Sequence, residues 1–110
     1  MNRNKIATEL VRLAKILVAR PFREGTGTHF EAELKKAVAK GLFGSYSVDI
    51  DMEFVTRREK TFAKVIVTGP DSEWYWNLAK ENPESIPQFN RLVSQFGVDY
   101  KVTGKRIVIG

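Results

Sequence analysis

Residues 46–68 read YSVDIDMEFVTRREKTFAKVIVT, and this stretch decides the fold. Apolar and polar side chains alternate through residues 46–54 and recur with the same period through 61–68, which is typical of half-buried β-strands. Two such strands joined by the charged loop 57–60 predict an antiparallel hairpin. Its register follows from parity: Glu53 lies opposite Lys64 and Val55 opposite Phe62, because a slip of one residue would bury Lys64 among apolar side chains.

A second, shorter hairpin is predicted at the other end of the chain. Residues 98–103 and 106–109 alternate in the same way, and Gly104-Lys105 between them is typical of a two-residue turn. This turn would pair Val102 with Ile107 and Tyr100 with Ile109.

The residues before the first hairpin predict a helix over 29–40. Phe30, Leu34 and Val38 recur at helical spacing and form one apolar face. Thr28 stands three residues before Glu31, so the pair predicts a capping box at the helix start. Gly41 is placed to end the helix in a left-handed conformation.

Two further helices are predicted between the hairpins. Asp71 or Ser72 is expected to cap a short helix that carries Trp74, Tyr75 and Leu78. Asn82-Pro83 ends that helix, and a second capping box opens the next one. The box pairs Ser85 with Gln88, and Gly97 closes the helix.

The N-terminal residues predict an amphipathic helix over about 4–19, which Pro21 ends. Its apolar face is formed by four residues at 4-3-4 spacing, namely Ile6, Leu10, Leu13 and Leu17. We therefore divide the chain into a basic amphipathic helix (1–20), a glycine-bearing linker (21–28) and an α+β domain (29–110), which form one compact domain overall.

These elements predict an α+β fold. Its core is a small antiparallel four-stranded sheet made of two β-hairpins and packed with about four helices, in the order ααββααββ. A chain of 110 residues with 43% hydrophobic residues is long enough to bury a single core.

The charge of the chain is uneven. The formal net charge is +5, and residues 1–40 hold nine Lys/Arg against four acids, whereas residues 41–110 hold nine of each. An anionic partner is therefore expected at the N-terminal part, and DNA or RNA is the first candidate. A solvated basic face is the simpler alternative.

We predict that nucleic acid is bound by basic residues of the N-terminal region, together with the hairpin tip. These residues are Arg3, Lys5, Arg12, Lys15, Arg20, Arg23, Arg57, Arg58 and Lys60. A basic hairpin tip can hold phosphates or enter a groove. The predicted function is that of a small non-enzymatic binding protein.

The alternative function is a protein-interaction or assembly subunit, for example a small virion or phage-type accessory component. It would dock on itself or on a protein partner through the first helix, using the face of Ile6, Leu10, Leu13 and Leu17. The chain has no cysteine and no apolar run of the roughly 20 residues that cross a bilayer, so we expect a cytoplasmic protein without a membrane span.

Three further features have chemical interpretations that we rank below simpler structural ones. Asp49, Asp51 and Glu53 share one face of a strand, but they are spaced too widely for one metal ion. Residues 25–28 (GTGT) resemble an anion-binding loop but follow a helix and lack the Lys-Ser/Thr ending of a phosphate loop. Residues 74–76 (WYW) are expected to anchor a helix rather than stack bases.

The single histidine, His29, has no serine or cysteine beside it in the sequence, so no nucleophile–base pair is indicated. The chain therefore offers no recognisable catalytic residues, and we expect neither an enzyme activity nor a metal or cofactor.

Overall fold

The sheet is built from the two predicted hairpins, and the computed structural model describes it within residues 20–110. The elements are α1 (Thr26–Ala39), β1 (Asp49–Arg57), β2 (Lys60–Thr68), α2 (Trp74–Glu81), α3 (Ser85–Gln95), β3 (Tyr100–Thr103) and β4 (Arg106–Ile109). The described part thus has three helices in the order αββααββ, which corrects the prediction of about four helices in the order ααββααββ. The predicted helix 4–19 lies outside the described residues.

The four strands form one antiparallel sheet in the order β1-β2-β4-β3. The predicted register of the first hairpin is confirmed, since Glu53 pairs with Lys64 and Val55 with Phe62. In the second hairpin Tyr100 pairs with Ile109, again as predicted. The hairpins join through β2 and β4, where Val65 lies opposite Ile109.

The first hairpin is tighter at its tip than predicted. The strands continue to Arg57 and resume at Lys60, so the turn consists of Arg58 and Glu59 alone and not of a four-residue loop. β1 begins at Asp49 rather than Tyr46. The parity of the register is unchanged, because the loop shortens by one residue on each strand.

The core lies on one face of the sheet, which we call the core face; the opposite side is the outer face. Apolar side chains of the sheet and of all three helices form one buried cluster there. Its sheet residues include Ala63, Val65, Val67, Ile107 and Ile109, and its helix residues include Phe30, Leu34, Trp74, Leu78, Phe89 and Val93. Burial of this cluster is the main favourable contribution to folding.

The predicted capping box at the start of α1 is wrong. Gly25 has a φ of +84° and Thr26 donates its N–H to the Arg23 carbonyl at 2.9 Å, so the helix begins at Thr26. Thr28 therefore lies inside the first turn, and the N-cap makes no side-chain hydrogen bond. Glycine adopts this left-handed conformation at no steric cost, so the chain can turn into the helix at Gly25.

The end of α1 follows the prediction. Gly41 has a φ of +95°, and the N–H groups of Gly41 and Leu42 donate to the carbonyls of Val38 and Ala37. These two bonds define a Schellman motif, which satisfies the last carbonyls of the helix.

Of the capping predictions for the other two helices, the one for α2 is partly confirmed and the one for α3 is wrong. Asp71 accepts the Glu73 N–H through Oδ1 at 2.8 Å just before α2, although the N-cap position itself is Glu73. The capping box of Ser85 and Gln88 is wrong, because α3 has Glu84 at its N-cap with no side-chain cap bond. Ser85 is instead buried as the first residue of the helix.

The segment predicted as a linker contributes to the core. Phe22 is fully buried, and its ring lies 5.1 Å from the ring of Phe30 in α1. Of the helices within residues 20–110, none has the length and apolar character that crossing a membrane requires.

Candidate nucleic-acid interface

The first hairpin extends beyond the rest of the sheet. β4 pairs with β2 only from Val65 to Thr68. Residues 53–64 therefore form a two-stranded extension that β4 does not reach. We call residues 53–64 the arm. The overhang arises because β1 and β2 have nine residues each, whereas β3 and β4 have four.

The turn at the end of the arm has an uncommon backbone. Arg58 and Glu59 have φ values of +50° and +68°, as a two-residue type I′ turn requires. Asn and Gly are the residues that favour this turn, and a bulkier residue with positive φ costs about 1 kcal/mol. The sequence therefore has charged side chains at two positions where glycine would make the turn more stable.

Three cations lie in or directly beside this turn. Arg57, Arg58 and Lys60 are all exposed, and Arg57 pairs with Lys60 across the two strands, so their side chains share one face. That face is the outer face, where Lys64 lies opposite Glu53 two pairs further along the arm. Like charges placed opposite each other repel, and an anion between them relieves the repulsion.

An apolar surface lies beside these cations on the outer face. Val55 and Phe62 form the cross-strand pair next to Arg57 and Lys60, and both are half-buried. A cavity of about 60 Å³ borders this pair and is also lined by Arg57, Lys64 and Pro21. The outer face of the arm therefore combines cations with apolar side chains.

The core-face side of the arm carries an exposed aromatic residue. Phe54 is 65% exposed, and it is the only large hydrophobic residue in the described part of the chain with an exposed side chain. The sequence predicted Phe54 within an apolar row. The unequal lengths of the two hairpins are the signal that could have placed it outside the core.

The predicted basic residues of the N-terminal region fall into two groups. Arg3, Lys5, Arg12 and Lys15 lie outside the described residues, as does the partner face of Ile6, Leu10, Leu13 and Leu17. Arg20 forms an ion pair with Asp99, with 2.8 Å between Nε and Oδ2. Arg23 is exposed.

The lysines of α1 are also close to acids. Lys35 lies 3.7 Å from Glu31 and Lys36 lies 3.4 Å from Glu33, one helical turn apart in each case. Exposed pairs of this kind contribute little to stability, but they reduce the local positive potential. The tip of the arm, by comparison, carries three exposed cations within four residues.

The acidic row lies on the outer face of β1. Asp49, Asp51 and Glu53 alternate along one strand, opposite Thr68, Ile66 and Lys64. No group of three metal-ligating side chains converges within residues 20–110. The acidic row does not form such a group, because successive residues on one face of a strand are about 7 Å apart.

The aromatic cluster of residues 74–76 is mostly internal. Trp74 and Tyr75 are buried, and Trp74 Nε1 donates to the Lys105 carbonyl at 2.8 Å. The same carbonyl accepts the Gly69 N–H at 2.9 Å. The indole is therefore fixed between the two hairpins, in agreement with the prediction that this cluster anchors a helix.

Residues 25–28 have a packing explanation. A Cβ added to Gly27 would overlap the Cβ of Ala63, so glycine is what allows α1 to approach β2. His29 is exposed and its ring lies 5.5 Å from that of Phe96.

No pattern in the sequence predicts the hydrogen-bond chain that links α2, β3 and α3. The hydroxyl of Tyr75 lies 3.1 Å from that of Tyr100, which donates to Asn90 Oδ1 at 2.6 Å. Burial raises the pKa of Tyr75, and the neighbouring Tyr100 raises it further. Burial also raises the pKa of Tyr100, while the hydrogen bond from Tyr75 lowers it.

A shallow cleft of about 400 Å³ lies between the end of α1 and α3. It is lined by Lys40, Asn82 and Gln88, with apolar Ala37, Leu42 and Leu92. Acid–base catalysis needs titratable groups within hydrogen-bond reach of a substrate, and Lys40 is the one titratable residue of this lining.

Comparison of the chain with models of protein families, with curated proteins and with solved structures finds no match.

Proposed function

We propose that this chain is a small non-enzymatic binding protein that contacts DNA or RNA through the arm, together with basic residues of its N-terminal region. One observation carries the proposal: Arg57, Arg58 and Lys60 are exposed around a two-residue turn at the end of a two-stranded projection. A two-stranded β-ribbon fits the major groove of B-DNA, which is about 12 Å wide.

The cations of the arm are held on an ordered turn and not on a loose loop, which supports phosphate contacts. The strands pair as far as Arg57 and Lys60, so the backbone beneath these side chains is held in register. Guanidinium groups bind phosphates in bidentate fashion, and an ammonium group adds a point charge.

We also propose that the protein is cytoplasmic, because a chain without cysteine suits a reducing compartment.

The experiment compares two variants that remove the same charge. In the first, Arg57, Arg58 and Lys60 are replaced by Gln; in the second, Lys35, Lys36 and Lys40 of the α1 region are replaced by Gln. Affinity for duplex DNA, duplex RNA and single strands is measured by fluorescence anisotropy over a series of salt concentrations.

The arm variant is expected to bind at least about tenfold more weakly and to lower the slope of log K against log salt by about 2.7, since each phosphate contact contributes about 0.9. The α1 variant should bind nearly as well as the parent chain. Equal losses in both variants would show that only net charge matters, and no binding by the parent chain at low salt would overturn the proposed function.

A further inference from the structure

The outer edge of β1 is a long, regular surface for strand pairing. The strand order places β1 at one side of the sheet, where β2 is its one partner strand among residues 20–110. The pairing runs without interruption from Asp49 to Arg57, with neither a bulge nor a proline. Edges that lack these protections are templates for another strand.

The turn determines which backbone groups reach this edge. Arg57 and Lys60 flank a two-residue turn, so they form a hydrogen-bonded pair, and hydrogen-bonded pairs alternate along the hairpin. The N–H and C=O groups of Arg57, Val55 and Glu53 therefore point toward β2. Those of Met52, Phe54 and Thr56 point away from the sheet.

We propose that the edge of β1 binds the same edge of a second copy of this chain, as an antiparallel pair with a two-fold axis at Phe54. Phe54 then lies opposite Phe54 of the partner subunit, and Met52 opposite Thr56 of the partner subunit. All of these residues direct their backbone groups outward, so the two sheets join into one of eight strands. A two-fold axis makes both subunits use the same surface.

The charges of β1 are complementary in this register. Asp51 and Arg57 are both exposed on the outer face. The pairing brings Asp51 of each subunit opposite Arg57 of the partner subunit, which gives two cross-strand ion pairs. A register centred on Glu53 would instead set Glu53 opposite itself, which is unfavourable. A shift of the register by one residue would set residues whose backbone groups point outward opposite residues whose backbone groups point toward β2, so the hydrogen bonds between subunits could not form.

The exposure of Phe54 also fits this pairing. A ring that is 65% exposed on an isolated subunit would meet its own counterpart across the two-fold axis. Aromatic cross-strand pairs are among the more favourable ones in antiparallel sheets. The same contact removes from water the one large exposed hydrophobic side chain of the described residues.

The test is a charge swap, followed by analytical ultracentrifugation of the full chain up to about 1 mM, where weak dimers are populated. The parent chain should show a reversible monomer–dimer equilibrium. Asp51→Arg and Arg57→Asp should each weaken dimerisation by at least about tenfold, because each sets like charges opposite one another. The double variant should restore it to within about threefold of the parent.

Three results would overturn the proposal: a parent chain that stays monomeric, a double variant no better than its single variants, or equal weakening by Glu24→Arg, which changes charge away from the sheet. Restoration by Glu53→Arg with Arg57→Glu would overturn the register.

A backbone variant gives an independent check. Phe54→Pro removes an outward N–H, so it should abolish the dimer while the circular dichroism spectrum stays that of the parent. Phe54→Thr keeps the N–H and should weaken the dimer less.

Discussion

The hydroxyl groups of Tyr75 and Tyr100 meet at 3.1 Å inside the protein, and Tyr100 uses its proton to bind Asn90 Oδ1. Tyr75 must therefore donate its own proton to Tyr100. This chain joins α2, β3 and α3 through polar atoms within an otherwise apolar core. Every buried side-chain polar atom of the described residues has a partner, and the Tyr75 hydroxyl depends on Tyr100 for its partner.

Tyr100→Phe is expected to destabilise the protein more than Tyr75→Phe. The first change leaves the Tyr75 hydroxyl buried without an acceptor, which costs about 1–3 kcal/mol, whereas the second removes the donor itself and costs about 1 kcal/mol. Urea unfolding followed by circular dichroism measures both free energies. Equal losses would mean that Tyr75 finds another acceptor once Tyr100 is gone.

Alkaline pH should destabilise the native state through the same pair. Burial raises the pKa of both tyrosines above the ordinary value of 10.0, so the folded protein holds these protons more tightly than the unfolded chain. Their contribution to stability is thus complete below about pH 10 and is lost as the pH rises further.

The size of this alkaline effect can be measured with one variant. Above pH 10, a tyrosine that stays protonated in the folded protein and ionises in the unfolded chain lowers the free energy of unfolding by about 1.4 kcal/mol per pH unit. Tyr75→Phe should make the decline shallower by about that amount. A parallel decline in the parent chain and in Tyr75→Phe would contradict the assignment.

Gly27→Ala is expected to destabilise the protein by about 1–3 kcal/mol, although alanine is the better helix former. The added methyl group would overlap the Ala63 side chain, so α1 would have to move away from β2. Thermal unfolding measures the loss. Ala63→Gly in the same chain should recover more than half of it, and Ala32→Gly, at an exposed position of α1, should recover none.

The hairpins were predictable because their information is local. Alternation places Lys64 and Val65 on opposite faces, and the energetic penalty for burying a lysine selects one register. Turn residues 104 and 105 fixed the second hairpin in the same way. No interaction between distant parts of the chain is needed for either prediction.

The start of α1 and the site could not be predicted in the same way. The helix begins at Thr26 because Gly25 has a positive φ and Gly27 packs on Ala63, a residue 36 positions away in the sequence. The three tip cations were predicted as candidates, but the two-residue turn depends on how far β1 and β2 pair, and the overhang of the arm depends on where β4 ends. The contact between Tyr75 and Tyr100 spans 25 residues and leaves no periodic signal.

The carbonyl of Lys105, which accepts both the Gly69 N–H and the Trp74 indole, has a practical consequence for spectroscopy. The turn of the second hairpin cannot separate from the first without breaking the hydrogen bond to this indole. In a chain where Trp76 is replaced by Phe, the fluorescence of Trp74 would therefore respond to the docking of the C-terminal hairpin, without any attached dye.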